Sequence, residues 1–97
     1  MTFSVQQIKF ECLSYIKEFG AKTEEWAIGM ADDAEQALFS VCGVDSRDDI
    51  WLWKPTLSPA AARTVVDFMV ARHRLRPVAG FEAGQQGRCI FMYRMRR

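Results

Sequence analysis

Cysteine and histidine, which most often carry metal or nucleophilic chemistry, are sparse in this chain of 97 residues. The three cysteines, Cys12, Cys42 and Cys89, are odd in number and include no CxxC pair, which argues against a disulfide framework and against a zinc knuckle. His73 is the single histidine, so no histidine pair can bind a metal ion. No basic residue lies near Cys42 in the sequence to lower the pKa of its thiol, so we expect this thiol to be buried and unreactive. Three free thiols indicate a reducing compartment.

Two groups of charged residues could bind a cation or a phosphate. Asp45, Asp48 and Asp49 offer carboxylate oxygens, but they lack the spacing and the glycine of an EF-hand loop, which favours a solvated turn. Arg63 and Asp67 lie four residues apart on a predicted helix, where they could meet a phosphate and a metal ion. The favoured alternative is an ordinary surface ion pair between them.

The elements that must position these groups begin with the stretch WAIGMADDAEQALF, residues 26–39. Its short apolar start predicts a buried strand, and Asp32 or Asp33 is suited to cap the helix that follows. The apolar residues of that helix fall on one face and are Ala34, Ala37, Leu38 and Val41. Gly43 is expected to end it.

A longer helix is predicted before this corner, over residues 4–19. Ser4 and Gln7 have the spacing of a capping box, and apolar residues recur at helical spacing up to Gly20, a suitable C-terminal cap. After the corner, IWLWK alternates bulky side chains with period two, which predicts a strand that Pro55 stops.

The clearest helix lies in TLSPAAARTVVDFMVARHRLRP. Ser58 is a suitable N-cap, Pro59 suits the first helical position, and Pro77 lies beyond the end. A glycine-containing loop, AGFEAGQQG, then leads to RCIFMYRM, which is predicted to be the last strand. The order α-β-α-β-α-β predicts one α/β (α+β) domain over residues 1–97, with three helices and a three-stranded sheet.

These segments together resemble the GIY-YIG endonuclease-like superfamily. The resemblance covers residues 26–95 in order and spacing, through WAIGMADDAEQALFSVCGV, IWLWK, SPAAARTVVDFMV and the strand RCIFMY. It implies a GIY-YIG-like fold and, for active members, phosphodiester cleavage. That cleavage uses Mg²⁺ or Mn²⁺ held by a glutamate, together with an arginine and tyrosines.

The positions that the family uses for catalysis carry other residues in this chain. The resemblance places the second motif tyrosine at Ala27, the arginine at Ala37 and the metal-binding glutamate at Val66, while Tyr15 is one residue out of register with the first tyrosine. Arg63, Asp67 and Tyr15 are the weak catalytic candidates that remain. We therefore expect a catalytically inactive domain with no cofactor; Mg²⁺ or Mn²⁺ enters only if it is a divergent nuclease.

Charge is divided unevenly along the chain. Residues 1–53 hold four Lys and Arg against ten acids, a balance of −6, whereas residues 54–97 hold nine against two, a balance of +7. The two halves could attract each other within one fold, which is the favoured interpretation, or they could leave a basic surface for an acidic partner.

The expected function is binding to another protein at the surface around the corner, where alanines replace a polar pocket. The alternative is nucleic-acid binding without cleavage through the basic half. The candidate surface residues are Trp26, Gly29, Trp51, Trp53, Arg63, Arg72 and Arg74. The two tryptophans of IWLWK suit a sheet-face cluster better than a base-stacking platform. With no signal peptide or membrane-spanning stretch in view, we expect a cytoplasmic protein without a membrane partner.

Overall fold

Both long helices begin at the caps that the sequence predicts. The structure is a computed structural model that describes residues 4–20, 22–78 and 87–95. Helix α1 spans Val5–Glu18, and the Ser4 hydroxyl accepts a hydrogen bond from the backbone N–H of Gln7 at 3.2 Å. Gly20 follows with φ of +64°, a left-handed conformation that glycine adopts at no steric cost. Helix α2 spans Pro59–His73 and is capped in the same way by Ser58.

The sheet has four strands rather than the three predicted. They are β1 (Trp26–Ala31), β2 (Trp51–Pro55), β3 (Arg76–Pro77) and β4 (Cys89–Arg94), in the order β2-β4-β1-β3. Strand β4 is antiparallel to both of its neighbours, and β3 is parallel to β1. The added strand β3 has only two residues, too few to produce a period-two pattern in the sequence. The chain is therefore a small α+β domain with a mixed sheet.

Helices α1 and α2 both pack on one side of the sheet, which we call the helix face. Alternate residues of the strands point to this side, and the helices add their apolar stripes to form the larger core cluster. The fully buried side chains of this cluster include Ile8, Cys12, Trp26, Ile28, Val65, Val66, Met69, Ile90 and Met92.

The other side of the sheet, which we call the second face, is covered by the segment after β1. Its buried cluster joins Ala34, Ala37, Leu38 and Val44 of that segment to Ala31, Cys89 and Phe91 of the strands. Cys89, Phe91 and Tyr93 therefore share one face of β4, as the alternation in the sequence predicts. Partly buried side chains complete this cluster, and they are Phe39, Cys42, Trp51, Trp53, Val78 and Tyr93.

The helix predicted after the corner forms, but most of it is a π-helix. The carboxylate of Asp33 accepts a hydrogen bond from the Gln36 N–H at 3.0 Å, which confirms its capping role. The π-helix spans Gln36–Val41 and ends at a bond from the Cys42 N–H to a carbonyl five residues earlier. Because a π turn holds more residues than an α turn, Val41 leaves the predicted apolar face and is 73% exposed.

Candidate functional site

At the C-terminal end of α2 the chain turns out of the helix, and this turn is rich in arginine. Arg74 has φ of 61°, and its N–H bonds to the carbonyl of Val70 at 3.2 Å, while Leu75 N–H reaches Met69 at 3.3 Å. The bond from Arg74 to Val70 is that of an αL motif, with arginine in the left-handed position that usually holds glycine. Leu75 is buried and anchors the turn, so the chain continues directly into β3.

Three arginines, Arg72, Arg74 and Arg76, are exposed along this turn, and we call the surface that they form the basic end. None of the three makes an ion pair with any residue that the structure describes. Lys9 of α1 lies over Phe68 of α2, with its Nζ 4.0 Å from the centroid of the ring. His73 contacts the same ring edge-on, with the ring centroids 5.2 Å apart.

Elsewhere the two oppositely charged halves of the sequence do pair with each other. Lys54 Nζ lies 2.9 Å from Glu11, and Arg94 lies 3.5 Å from Glu25. These pairs join β2 to α1, and β4 to the segment before β1. Attraction between the halves therefore accounts for part of the charge asymmetry, and it leaves the three arginines of the basic end without an ion pair to the described residues.

The three weak catalytic candidates do not form one site. Arg63 Nε lies 3.3 Å from Asp67 at i+4, and both side chains are about half exposed, which is the predicted surface pair. Arg63 also lines an open cavity of about 370 Å³ with Met30. The hydroxyl of Tyr15 instead donates a hydrogen bond to the carbonyl of Trp51 at 2.8 Å, at the other edge of the sheet.

The prediction of a binding surface at the corner requires correction, because the corner residues named for it lie inside the protein. Trp26 is 0% exposed. Gly29 is buried, and a Cβ there would collide with side-chain atoms of Val78 and Phe91. The alanines expected to form a flat apolar surface are also buried, and they are Ala27, Ala31 and Ala37. Sequence alone does not distinguish them from surface alanines, because alanine is common in both places.

Trp51 and Trp53 occupy the sheet-face position that the period-two pattern predicts. Both are partly buried on the second face. Trp51 contacts Phe39 edge-on at 5.0 Å and donates its indole N–H to the carbonyl of Ser46 at 3.1 Å. The two indoles therefore belong to the edge of a core cluster, and each retains some accessible surface.

A second cavity, which no sequence pattern indicates, lies beside Cys42. It measures about 370 Å³, and Cys42, Tyr93, Asp49 and Arg94 contribute to its lining. Cys42 is half-buried rather than buried, and burial raises the pKa of its thiol while the neighbouring Tyr93 lowers it. Burial, followed by the effect of Cys42, raises the pKa of Tyr93 to about 12. Both groups are thus protonated and neutral near pH 7, as in an inert pair.

The remaining candidate ligands are engaged locally. Asp45 accepts hydrogen bonds from the N–H groups of Arg47 at 2.8 Å and Asp48 at 3.1 Å, and Asp49 accepts one from the Asp45 N–H at 2.8 Å. This is the predicted turn, held by Asx-type bonds. Across residues 4–20, 22–78 and 87–95, no three His, Cys, Asp or Glu side chains group together as a metal site would require.

Comparison with known proteins adds no relative: no family model, no curated protein and no solved structure matches this chain. The likeness to GIY-YIG nucleases therefore stays a hypothesis based on the order and spacing of motifs. None of the helices described has both the length and the apolar content needed to cross a bilayer.

Proposed function

We propose that this chain is a non-catalytic module that binds nucleic acid through the basic end. The observation that carries the proposal is the exposure of Arg72, Arg74 and Arg76 within five residues, with no ion pair to the described part of the chain. Guanidinium groups suit phosphate oxygens, because their planar donors can bind two oxygens at once. Sequence-independent contacts with the phosphate backbone are the interaction that such a surface favours.

The neighbouring aromatic group supports the same partner. Phe68 lies between Lys9 and His73, so the arginines of the turn continue into a surface that also offers an amine and the ring of His73. Surfaces that bind single strands combine positive charge with rings on which bases stack. The proposal therefore favours a single-stranded nucleic acid over a duplex.

Binding to another protein at the corner has lost most of its support, because Ala27, Ala31 and Ala37 belong to the interior. A divergent nuclease that uses Mg²⁺ or Mn²⁺ is also weakly supported, since Tyr15 is bonded to β2 while Arg63 and Asp67 pair with each other. A GIY-YIG-like fold used without its chemistry remains compatible with the proposed role.

The proposal is tested by measuring affinity for single-stranded and duplex oligonucleotides at several salt concentrations. The test variant replaces all three arginines of the basic end with alanine. If each contacts a phosphate, the slope of log K against log salt falls by about 2 to 3 units, since each contact releases roughly one counterion.

A matched control removes the same amount of charge elsewhere. Arg47, Arg63 and Arg88 are all exposed and lie outside the basic end, so their triple alanine variant has the same net charge as the test variant. We expect the control to keep most of the salt slope. Equal loss in both variants, or no binding by the unmodified protein at low salt, would overturn the proposal.

A further inference from the structure

Strand β2 is at the edge of the sheet, and its backbone groups alternate between its partner and the open side. The bonds from Arg94 N–H to Ile50 O at 2.9 Å and from Thr56 N–H to Arg88 O at 2.7 Å fix this alternation. Even-numbered residues of β2 therefore exchange hydrogen bonds with β4. The N–H groups of Trp51 and Trp53 and the C=O groups of Trp51, Trp53 and Pro55 point away from the sheet.

Two of these outward positions cannot pair with a further strand. The carbonyl of Trp51 already accepts the hydroxyl of Tyr15 at 2.8 Å. Pro55 has no N–H to donate. The outward groups that remain are two donors, the N–H of Trp51 and of Trp53, and two acceptors, the C=O of Trp53 and of Pro55. Within the described residues none of the four has a hydrogen-bond partner.

We propose that this edge pairs with the same edge of a second copy of the chain, antiparallel and centred on Trp53. In that register Trp53 faces Trp53 of the second copy, and Trp51 faces its Pro55. The central pair exchanges two hydrogen bonds. At either end the ring of Pro55, which replaces a donor N–H, faces the Trp51 carbonyl of the other copy, so the two strands diverge there and the N–H and C=O of Trp53 carry the pairing.

An unrelated strand is a poorer occupant of the same edge. It would present an N–H to the Trp51 carbonyl that Tyr15 already occupies, and a C=O to Pro55, which has no donor. Such unmet groups are costly once they are shielded from water. The edge is thus protected against the addition of a long strand, and the N–H and C=O of Trp53 remain complementary to those of a second copy.

The side chains agree with this register. Trp51, Trp53 and Pro55 share the second face, and both indoles keep accessible surface that the pairing would cover. Aromatic residues placed directly opposite each other are favourable cross-strand pairs. Lys54 points to the helix face, is held by Glu11 and would lie opposite Leu52 of the second copy, so no like charges meet.

The register is tested by disulfide formation in a Cys42→Ser background, which removes the one half-buried native thiol. Trp53→Cys is expected to give a covalent dimer under mild oxidation, because facing residues have Cα atoms about 5.5 Å apart. Trp51→Cys is the matched control, since the two copies of that residue would be about 13 Å apart along the strands. Cross-linking of both variants to the same extent, or of neither, would refute the register.

Sedimentation of the unmodified protein tests the association itself. The chain has a mass of 11.1 kDa, and we expect a species of twice that mass that increases with protein concentration. Trp53→Lys and Trp53→Glu should each abolish it, because like charges would face each other, and mixing the two should restore it as a heterodimer. Phe10→Lys, at an exposed residue of α1, is the control and should dimerise normally. A single species at monomer mass at every concentration would refute the proposal.

Discussion

Replacing Arg74 by glycine should make the protein more stable and at the same time weaken its binding to nucleic acid. Arg74 is the one described non-glycine residue with positive φ, at 61°. Its side chain is exposed and makes no ion pair with the described residues, so its removal breaks no ion pair within that part of the fold. The substitution therefore separates the backbone strain of the turn from the charge of the side chain.

The magnitude follows from two opposing terms. A left-handed conformation costs an L-residue about 1 to 2 kcal/mol, and glycine removes this cost. Glycine also gains freedom in the unfolded chain, which costs about 0.4 to 1 kcal/mol on folding. The free energy of unfolding should therefore rise by about 0.5 to 1 kcal/mol, which raises Tm by about 4 °C in a domain of this size.

Urea denaturation and thermal unfolding measure the stability change, and Arg74→Ala is the matched control. Alanine removes the same charge but keeps the Cβ, so it should give no comparable stabilisation. Both variants should reduce the salt slope of oligonucleotide binding by about one unit. The reasoning is refuted if glycine and alanine give the same stability, or if either variant binds with an unchanged slope.

Three further predictions concern the core, the corner and the β2 edge. Burial raises the pKa of Cys12 from 9.0 to about 12, so the unfolded chain ionises first and stability falls as pH rises above 9.0. Denaturation measured as a function of pH should show a loss of about 2 kcal/mol at about pH 10.5 from this group, and Cys12→Ala should lack that component. Gly87→Ala should cost about 3 kcal/mol or more in chemical denaturation, because its Cβ would overlap the backbone at the end of β1, whereas Gly29→Ala meets only side-chain atoms and should cost less. Tyr15→Phe should lose about 1 kcal/mol by the same measurement, because it deletes the hydrogen bond to the Trp51 carbonyl, and an unchanged stability would show that this bond contributes nothing.

The parts of the fold that sequence predicts well are those set by local chemistry. The caps of α1 and α2 need only a serine side chain and the backbone three residues ahead, so Ser4 and Ser58 mark both starts. Strand β4 alternates its faces as its residues alternate in the sequence. In these elements short-range preference and tertiary packing agree.

Longer-range geometry explains what the sequence could not predict. Strand β3 exists because the turn after α2 brings Arg76 beside Ala27, and no pattern in two residues records this. Pro55 is predicted to stop β2, and the strand does end there, with Pro55 as its last residue. Its nitrogen points to the open edge, where no ladder bond requires an N–H.

The candidate site was predicted only in part for the same reason. Sequence identified Arg72 and Arg74 as surface residues, but it could not show which charges of the two halves would pair. Arg94 is paired with Glu25, whereas the arginines of the basic end make no ion pair with the described residues. The burial of Trp26 and Gly29 likewise depends on strands and helices that are distant in the chain.

Burial and a hydrogen bond usually act together to protect an N–H group from exchange with solvent, and within the described part of the chain the indole of Trp26 has burial alone. Its N–H is fully buried but has no hydrogen-bond partner among the described residues. Exchange of this proton with deuterium from solvent therefore requires the core between α1 and β1 to open, without any hydrogen bond having to break first. The rate of that exchange would report how often water reaches the centre of the molecule, which makes Trp26 a natural probe of the motions of its own core.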